Sequence, residues 1–280
     1  MSYISKYMEF KAFKMDGLGN DFVIIDERFD KINLRNKDII KICNRKFIGC
    51  DQLIIIREAD QNDAELVFYN SDGSLAGACG NGTRCVAYLL SKENNKNVIT
   101  LKTLGGMLES KIYENQIVET KIGPGKLGWA DIPLKEKMDT RNLNFNFEDI
   151  QVEMKNGTAI NVGNPHVVFF VDELEKFNIE KIGPKIENHN FFPEKCNVTI
   201  AKKINENHIK LKVWERGAGL TKACGTAACA TALAGKINNL IKSPVNLVFE
   251  LGKLEINIDD NNFISMKGPV SKIQEIKINF

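Results

Sequence analysis

The sequence has few of the residues that build metal centres. Only three histidines occur in 280 residues, they do not cluster, and none of the seven cysteines belongs to a CxxC pair. Structural zinc sites need closely spaced Cys and His ligands, so we expect no metal. The odd number of cysteines argues against a disulfide framework.

Long apolar runs and blocks of like charge are also missing. Without a run of about 18 apolar residues, no membrane span is expected. The 38 basic and 36 acidic residues leave a net charge of +2 and are mixed along the chain, which predicts neither a nucleic acid nor a membrane partner. The first residues lack the apolar core of a signal peptide, so we expect a cytoplasmic location.

What the sequence does contain is a long internal repeat. The stretch NSDGSLAGACGN at 70–81 matches ERGAGLTKACGT at 215–226, an offset of 145 residues from 78 to 223. Upstream, GNDFVIID at 19–26 resembles GNPHVVFFVD at 163–172 at almost the same offset. A period of half the chain is too long for a solenoid and predicts two similar domains in tandem.

The local patterns follow the same order in both halves. Apolar runs such as DFVIID and HVVFFVD predict buried strands. Helices are predicted at 80–94 and 225–241, each directly after a cysteine. We expect domains at 1–124 and 125–269, with a last strand at about 270–280 able to pack back onto the first half.

The two cysteines at the helix starts, Cys79 and Cys224, suggest acid–base chemistry. The free N–H groups of a helix N-terminus favour negative charge, so they lower a thiol pKa and also attract a carboxylate. Two such thiols facing each other across a cleft between the domains would suit inversion of a carbon centre, one removing a proton and the other donating one. The alternative is that both are small residues in packing pockets, as we expect for the other five cysteines.

The motifs GLGNDFVIID, YNSDGSLAGACGNGTRC, GNPHVVFF and WERGAGLTKACGTAACATA together resemble the diaminopimelate epimerase family over nearly the whole chain. The resemblance implies an α+β fold of two similar tandem domains, each a curved mixed β-sheet or barrel around a central helix. It implies epimerisation of LL-2,6-diaminopimelate to the meso form for lysine and peptidoglycan synthesis, without pyridoxal phosphate, another cofactor or a metal. Homodimers are usual in the family.

The resemblance also assigns roles to residues. It makes Cys79 and Cys224 the acid–base pair, with His166 and Glu215 helping to deprotonate or position the reacting groups. The side chains implied in substrate binding are Asn20, Gln52, Asn70, Asn164, Asn197, Glu215 and Arg216. The backbone N–H groups implied at the reacting carboxylate are those of Gly80, Asn81, Gly225 and Thr226. The loop 45–52 is one residue shorter than the family's usual loop, which bears on the placement of Gln52.

Three other functions stay open at this point. A proline racemase-like enzyme shares the two-thiol logic but needs fewer contacts to a second charged end of its substrate. A phenazine-biosynthesis-type isomerase shares the fold but lacks the paired cysteines. A redox-sensing binding protein would use the two thiols as a disulfide and would show no epimerisation.

Overall fold

The computed structural model describes residues 9–279, which form two compact units. The first unit takes in the chain up to Val118 together with the segment from Pro269 on, and the second is Glu119–Gly268. The domain boundaries expected from the sequence, 1–124 and 125–269, stay a prediction.

Strands make up most of both units. The first part of the chain forms β1 (Glu9–Gly17), β2 (Asn20–Asp26), α1 (Asn36–Cys43), β3 (Gln52–Arg57), β4 (Ala64–Asn70), β5 (Leu75–Ala76), α2 (Gly80–Asn94), β6 (Val98–Thr103), β7 (Gly106–Ile112) and β8 (Ile117–Pro124). The remainder forms β9 (Leu143–Phe147), β10 (Val152–Asn161), β11 (Pro165–Phe170), α3 (Ile179–Glu187), β12 (Asn197–Asn205), β13 (His208–Glu215), β14 (Gly219–Thr221), α4 (Gly225–Ile237), β15 (Val245–Phe249), β16 (Gly252–Ile258), β17 (Phe263–Pro269) and β18 (Gln274–Asn279).

Strand pairing follows one scheme in both units. In the first, β18, β1 and β2 are antiparallel neighbours, β2 and β3 are parallel, and β3 and β4 are antiparallel. Strand β4 then pairs antiparallel with β5 and parallel with β6, which pairs antiparallel with β7. In the second unit β9 to β16 repeat this order of parallel and antiparallel pairs. The predicted fold of two similar domains with mixed sheets is therefore confirmed.

Each sheet wraps around one helix that begins directly after a cysteine. Helix α2 contacts β1, β2, β6 and β7, and its Cys85, Val86 and Leu90 are fully buried against Phe22 and Phe68. Helix α4 contacts β10, β11, β12, β15 and β16, and half of its buried residues are alanines. Burying a side chain of the size of leucine contributes roughly 1.5–3 kcal/mol, so these central helices hold each unit together.

The sequence predictions hold closely for the first helix and less well elsewhere. Helix α2 spans the predicted 80–94. Helix α4 ends at Ile237 rather than at 241, because Asn239 adopts a left-handed φ of 57° and the N–H of Leu240 bonds back to the carbonyl of Gly235. The sequence patterns do not predict strands β1, β9 and β10 or the two short strands β5 and β14. The alternation that would reveal β10 breaks at a bulge between Met154 and Gly157.

Candidate active site

Both cysteines occupy the residue that precedes the first turn of a buried helix. Cys79 has φ −140° and ψ 113°, and Cys224 has φ −134° and ψ 116°, so the backbone is extended at both positions and nearly identical. The first helical hydrogen bonds run from Thr83 N to Cys79 O and from Ala228 N to Cys224 O. The preceding N–H groups of each first turn, which include those of Gly80, Asn81, Gly225 and Thr226, therefore lie outside the helical ladder.

In the first unit, Cys79 lies beside two of the predicted site residues. Its Sγ donates to Asn20 Oδ1 at 3.7 Å, and the buried Asn81 donates from Nδ2 to the same oxygen at 3.4 Å. Cys79 itself is only partly buried. The structure thus brings Asn20, Cys79 and Asn81 together at the start of α2.

Asn20 is anchored from its other side by an ionic cluster. Its Nδ2 donates to Asp51 Oδ2 at 3.0 Å, and the backbone N–H of Asp21 donates to the same oxygen at 3.0 Å. Arg45 bridges the two carboxylates, reaching Asp21 at 2.6 and 2.8 Å and Asp51 at 2.6 Å. Arg45 holds the pKa of the Asp21 carboxyl below its usual value, although partial burial acts in the opposite direction.

Gln52 and Asn70 lie opposite each other on β3 and β4 and bind one another. Gln52 Nε2 donates to Asn70 Oδ1 at 2.9 Å, and Asn70 Nδ2 donates to Ser74 Oγ at 3.0 Å. Gln52 Oε1 is buried and has no hydrogen-bond partner among the described residues. These two amides therefore form a pair that leaves one acceptor oxygen unused.

In the second unit, Cys224 is buried, and its neighbours differ from those of Cys79. Its Sγ lies 3.4 Å from Thr226 Oγ1. Burial raises the pKa of the Cys224 thiol well above its usual value and the Glu215 carboxylate raises it further, while hydrogen bonds from Thr226 and the Ala227 N–H oppose the rise. Glu215 Oε1 accepts from the hydroxyl of Thr221 at 2.5 Å. Cys224 is therefore a protonated thiol near neutral pH.

The loop that carries Arg216 is fixed by two buried side chains. Asn197 accepts from the Arg216 N–H at 3.0 Å and donates to the carbonyl of Pro165 at 2.9 Å. Glu187 accepts from Gly217 N at 3.0 Å and from Trp214 Nε1 at 2.7 Å. The guanidinium of Arg216 is exposed and donates to the carbonyl of Glu194 at 2.9 Å. Asn197 thus supports the loop, and Arg216 offers its charge at the surface of the unit.

His166 is fully buried on β11 and is neutral. Burial, and then the charge of Arg216, lowers the pKa of His166 to about 3. Its Nε2 lies 2.8 Å from Asn164 Oδ1, an acceptor, so the ring proton is assigned to Nε2. The other ring nitrogen, Nδ1, has no hydrogen-bond partner among the described residues. His166 therefore holds the Asn164 amide and carries no charge.

Sequence reasoning did not identify four side chains that shape these sites, namely Asp21, Arg45, Asp51 and Glu187. Asp21 and Asp51 directly adjoin Asn20 and Gln52 in the sequence, which is the one signal that pointed to them. The remaining five cysteines are buried, as predicted. Within residues 9–279, no three His, Cys, Asp or Glu side chains are grouped as metal ligands would be.

Comparison with known proteins identifies both the internal repeat and the family. The sequence profile described as "Diaminopimelate epimerase" matches the chain twice, over residues 12–127 and 158–273. The chain belongs to the diaminopimelate epimerase family. A diaminopimelate epimerase of Pelagibacter ubique (strain HTCC1062) is 61% identical over 272 residues, which are 97% of this chain and 99% of that protein. One of Acidiphilium cryptum (strain JF-5) is 41% identical and covers 94% of each chain.

Solved structures extend the likeness of fold beyond the diaminopimelate epimerase family. A hydroxyproline epimerase from Agrobacterium vitis, with bound trans-4-hydroxy-L-proline, matches with a TM-score of 0.72 at 11% identity, over 98% of this chain and 92% of that chain. A phenazine biosynthesis protein of the PhzF family from Bacillus anthracis matches with a TM-score of 0.67 at 14% identity, over 97% of this chain and 99% of that one. At such identities the likeness concerns the fold alone. Among residues 9–279, no helix has the length and apolar character needed to cross a membrane.

Proposed function

We propose that this chain epimerises LL-2,6-diaminopimelate to meso-diaminopimelate, and that Cys79 and Cys224 are the two acid–base groups. The observation that carries the proposal is the matched position of the two thiols. Each precedes the first turn of the central helix of its unit, with nearly the same backbone angles. Such a pair is expected of an enzyme that removes a proton from one face of a carbon and donates a proton to the opposite face.

The proposed reaction moves two protons and leaves the enzyme's total unchanged. One thiolate takes the proton from Cα and becomes a thiol. The other thiol gives its proton to the opposite face of the carbanion and becomes a thiolate. Cys224, whose pKa is raised by burial, is the proton donor in the enzyme that awaits substrate. The reverse reaction exchanges the two roles.

The carbanion needs stabilisation, because the Cα proton of an amino acid is weakly acidic and the proposal includes neither pyridoxal phosphate nor a metal. Negative charge moves onto the adjacent carboxylate as the proton leaves. The N–H groups of Gly80, Asn81, Gly225 and Thr226 belong to helix first turns, where unpaired N–H groups and the helix dipole favour an anion. Removing one such donor from an oxyanion site typically lowers a rate by about 10²–10³-fold.

The substrate has a second ammonium and carboxylate, which the remaining site residues would bind. Arg216 suits a carboxylate because its guanidinium forms paired hydrogen bonds. Amide side chains offer both donors and acceptors and therefore suit either charged group. We assign substrate binding to Asn20, Gln52, Asn70, Asn164, Asn197, Glu215 and Arg216. His166, being neutral, is assigned the positioning of Asn164 rather than proton transfer.

The direct test is to incubate the purified chain with LL-diaminopimelate and to separate the stereoisomers by chiral chromatography. We expect conversion in the parent protein and a loss of about 10³-fold or more in Cys79→Ala and in Cys224→Ala, in line with the contribution of general acid–base groups. Full activity in either variant would contradict the proposal.

The chain offers matched controls for these two substitutions. Cys85 lies on α2 and Cys229 on α4, and both are buried. Cys85→Ala and Cys229→Ala remove a thiol from the same helices, and we expect them to lower stability while keeping the activity. Turnover of proline or trans-4-hydroxy-L-proline, with none of diaminopimelate, would instead favour a proline racemase-like function.

The family resemblance also supports a homodimer and a cytoplasmic location, and we include both in the proposal. Light scattering during gel filtration should give twice the mass of one chain. Cell fractionation of the native host should recover the protein with cytoplasmic markers. A monomer with full activity would contradict the first of these, and recovery outside the cytoplasm would contradict the second.

A further inference from the structure

One residue outside the proposed catalytic set contacts an amide that lies beside Cys79. Asp51 precedes β3, and its carboxylate contacts Asn20 at 3.0 Å from the side opposite to the thiol. An ionised carboxylate only accepts hydrogen bonds. The end of the Asn20 side chain that faces Asp51 must therefore be the NH₂ group, which leaves the amide oxygen towards Cys79.

A second contact supports the same orientation. Asn81 Nδ2 donates to Asn20 Oδ1 at 3.4 Å, which agrees with an oxygen at that end of the amide, but the fixed point is Asp51, because Asn81 Oδ1 has no partner among the described residues and would accept equally well from an NH₂ group. Arg45 holds Asp51 in place at 2.6 Å, and the backbone N–H of Asp21 donates to the same carboxylate oxygen that Asn20 contacts. Rotating the amide by half a turn would place an NH₂ group against the Asn81 donor and an oxygen against Asp51.

We propose that Asp51 is a positioning residue that fixes the Asn20 amide with its oxygen, rather than its nitrogen, towards the Cys79 sulfur. The contact geometry does not depend on the proposed epimerase function, but its consequence for catalysis rests on that function. An oxygen acceptor stabilises the S–H form and opposes the thiolate, whereas an NH₂ donor would stabilise the thiolate. With the oxygen in place, a thiolate formed at Cys79 is a stronger base towards the Cα proton.

Other charged side chains lie on the elements around the Cys79 thiol, and their effect on its reactivity must be separated from the effect of the Asn20 amide. The charged and titratable side chains near this end of the elements packed here include Lys14 and Asp16 on β1, Asp21 on β2, Arg45 and Asp51 before β3, and Arg84 and Cys85 on α2. Removing the negative charge of Asp51 would by itself favour a thiolate at Cys79, which is the same direction as the rotation of the amide. The experiment therefore has to distinguish a direct charge effect from one that passes through Asn20.

A double-mutant cycle on the reactivity of Cys79 makes this distinction and needs no substrate. The rate of alkylation by iodoacetamide, a neutral reagent, is followed from about pH 6 to about pH 10 by mass spectrometry of the peptide that contains Cys79, because only the thiolate reacts. The four proteins are the parent, Asp51→Ala, Asn20→Ala and the double variant. The side chain of Asp51 is 41% exposed, so its truncation leaves the core intact.

We expect the midpoint of the alkylation profile to move down by about one pH unit in Asp51→Ala, the size of one hydrogen bond to a charged group. In the Asn20→Ala background, the same substitution should cause a clearly smaller shift, because only the direct effect of the Asp51 charge remains. An equal shift in both backgrounds, or none in the single variant, would overturn the proposal. Because the measurement uses no diaminopimelate, its result is independent of whether the chain is an epimerase.

Two further variants test whether the shift in the Cys79 profile comes from a general effect on folding. Asp63 is a matched control in the same unit, since its carboxylate accepts from Lys96 at 2.6 Å and from Thr100 at 2.8 and 3.0 Å. Asp63→Ala should leave the Cys79 profile unchanged, and a comparable shift there would count against the proposal. Asp51→Val, whose side chain has no hydrogen-bond acceptor, is the second variant at the position itself, and circular dichroism establishes that each protein is folded. It should reproduce the shift of Asp51→Ala, and an unchanged profile in the folded variant would overturn the proposal.

Discussion

Cys79 lies partly exposed beside a neutral amide that is tied to an ionic cluster, whereas Cys224 is buried beside a hydroxyl and a carboxylate. The backbone around the two residues is nearly the same, as are the helices that follow and the pairing of the strands around them. The two halves therefore share the backbone structure around each thiol but differ in the side chains that surround the sulfur.

This difference bears on the proposed two-thiol mechanism. In each turnover one sulfur must be a thiolate that accepts a proton and the other a thiol that donates one, so the two sulfurs are in different protonation states when the substrate binds. In the second unit, burial and Glu215 keep the proton on Cys224. In the first unit, Cys79 instead donates a hydrogen bond to the amide oxygen of Asn20, and the amide nitrogen of Asn20 contacts Asp51.

The largest expected difference between the units concerns acid stability. His166 pairs with Asn197 across β11 and β12, and the corresponding position of the first unit, opposite Gln52, holds Phe22. Because the pKa of His166 falls to about 3 in the folded protein, its neutral form stabilises the fold above pH 6.5, and that stabilisation is lost as the pH falls towards 3. Within this window the loss is about 1.4 kcal/mol for each pH unit.

Replacing His166 with the residue of the other unit tests this difference. In His166→Phe, the free energy of unfolding measured in urea should no longer fall with this slope below pH 6.5. His189→Phe is the control. Burial also lowers the pKa of His189, but this side chain is only partly buried, so its replacement should leave most of the parent's slope in place. A slope in His166→Phe equal to that of the parent would show that His166 is not buried in its neutral form.

A smaller effect is expected at Glu187, a buried carboxylate that supports the Arg216 loop. Its oxygens accept from Trp214 and Gly217, and Gly183 on the same helix lets the Trp214 ring approach. Glu187→Ala should lower the free energy of unfolding by about 1–3 kcal/mol, because two donors lose their partner. It should also weaken substrate binding through Arg216 more than it slows proton transfer. An unchanged KM with a lower kcat would contradict this assignment.

The two thiols should also differ in their reactivity. At neutral pH we expect iodoacetamide to modify Cys79 at least about tenfold faster than Cys224, because Cys224 is buried and its pKa is raised. Mass spectrometry of the two peptides gives both rates in one experiment. Equal rates would mean that the two environments do not differ in the way described.

The smallest effect concerns the carboxylate next to Cys224. Glu215→Gln removes a negative charge that raises the pKa of Cys224, so the alkylation midpoint of Cys224 should move to lower pH by up to about one unit. The profile of Cys79 serves as the internal control and should not move. A shift to higher pH at Cys224 would contradict the electrostatic role of Glu215.

Much of the frame of the candidate site could be predicted from the sequence. The two ACG motifs, each followed by glycine and small residues, located the starts of α2 and α4 at the correct residues. Local signals were sufficient here, because helix starts depend on a few neighbouring residues. Strand β10 was missed, since its bulge at Met154 to Gly157 interrupts the alternation of apolar and polar residues.

The side-chain environment of the thiols could not be predicted in the same way. Asp51 and Asn20 are separated by 31 residues and meet only because β2 and β3 are parallel neighbours. The burial of Cys224 and of His166 likewise depends on packing from several strands. Charge and burial at a site arise from the tertiary fold, and the sequence alone showed only which residue types were available.

The most direct measurement of the two-thiol claim uses LL-diaminopimelate in deuterium oxide and stops the reaction at low conversion. If one thiol removes the substrate proton while a different, solvent-exchanged thiol protonates the other face, the meso product should carry deuterium at Cα and the recovered substrate should not. Deuterium entering the recovered substrate as fast as the product would mean that a single base acts on both faces, and would contradict the account.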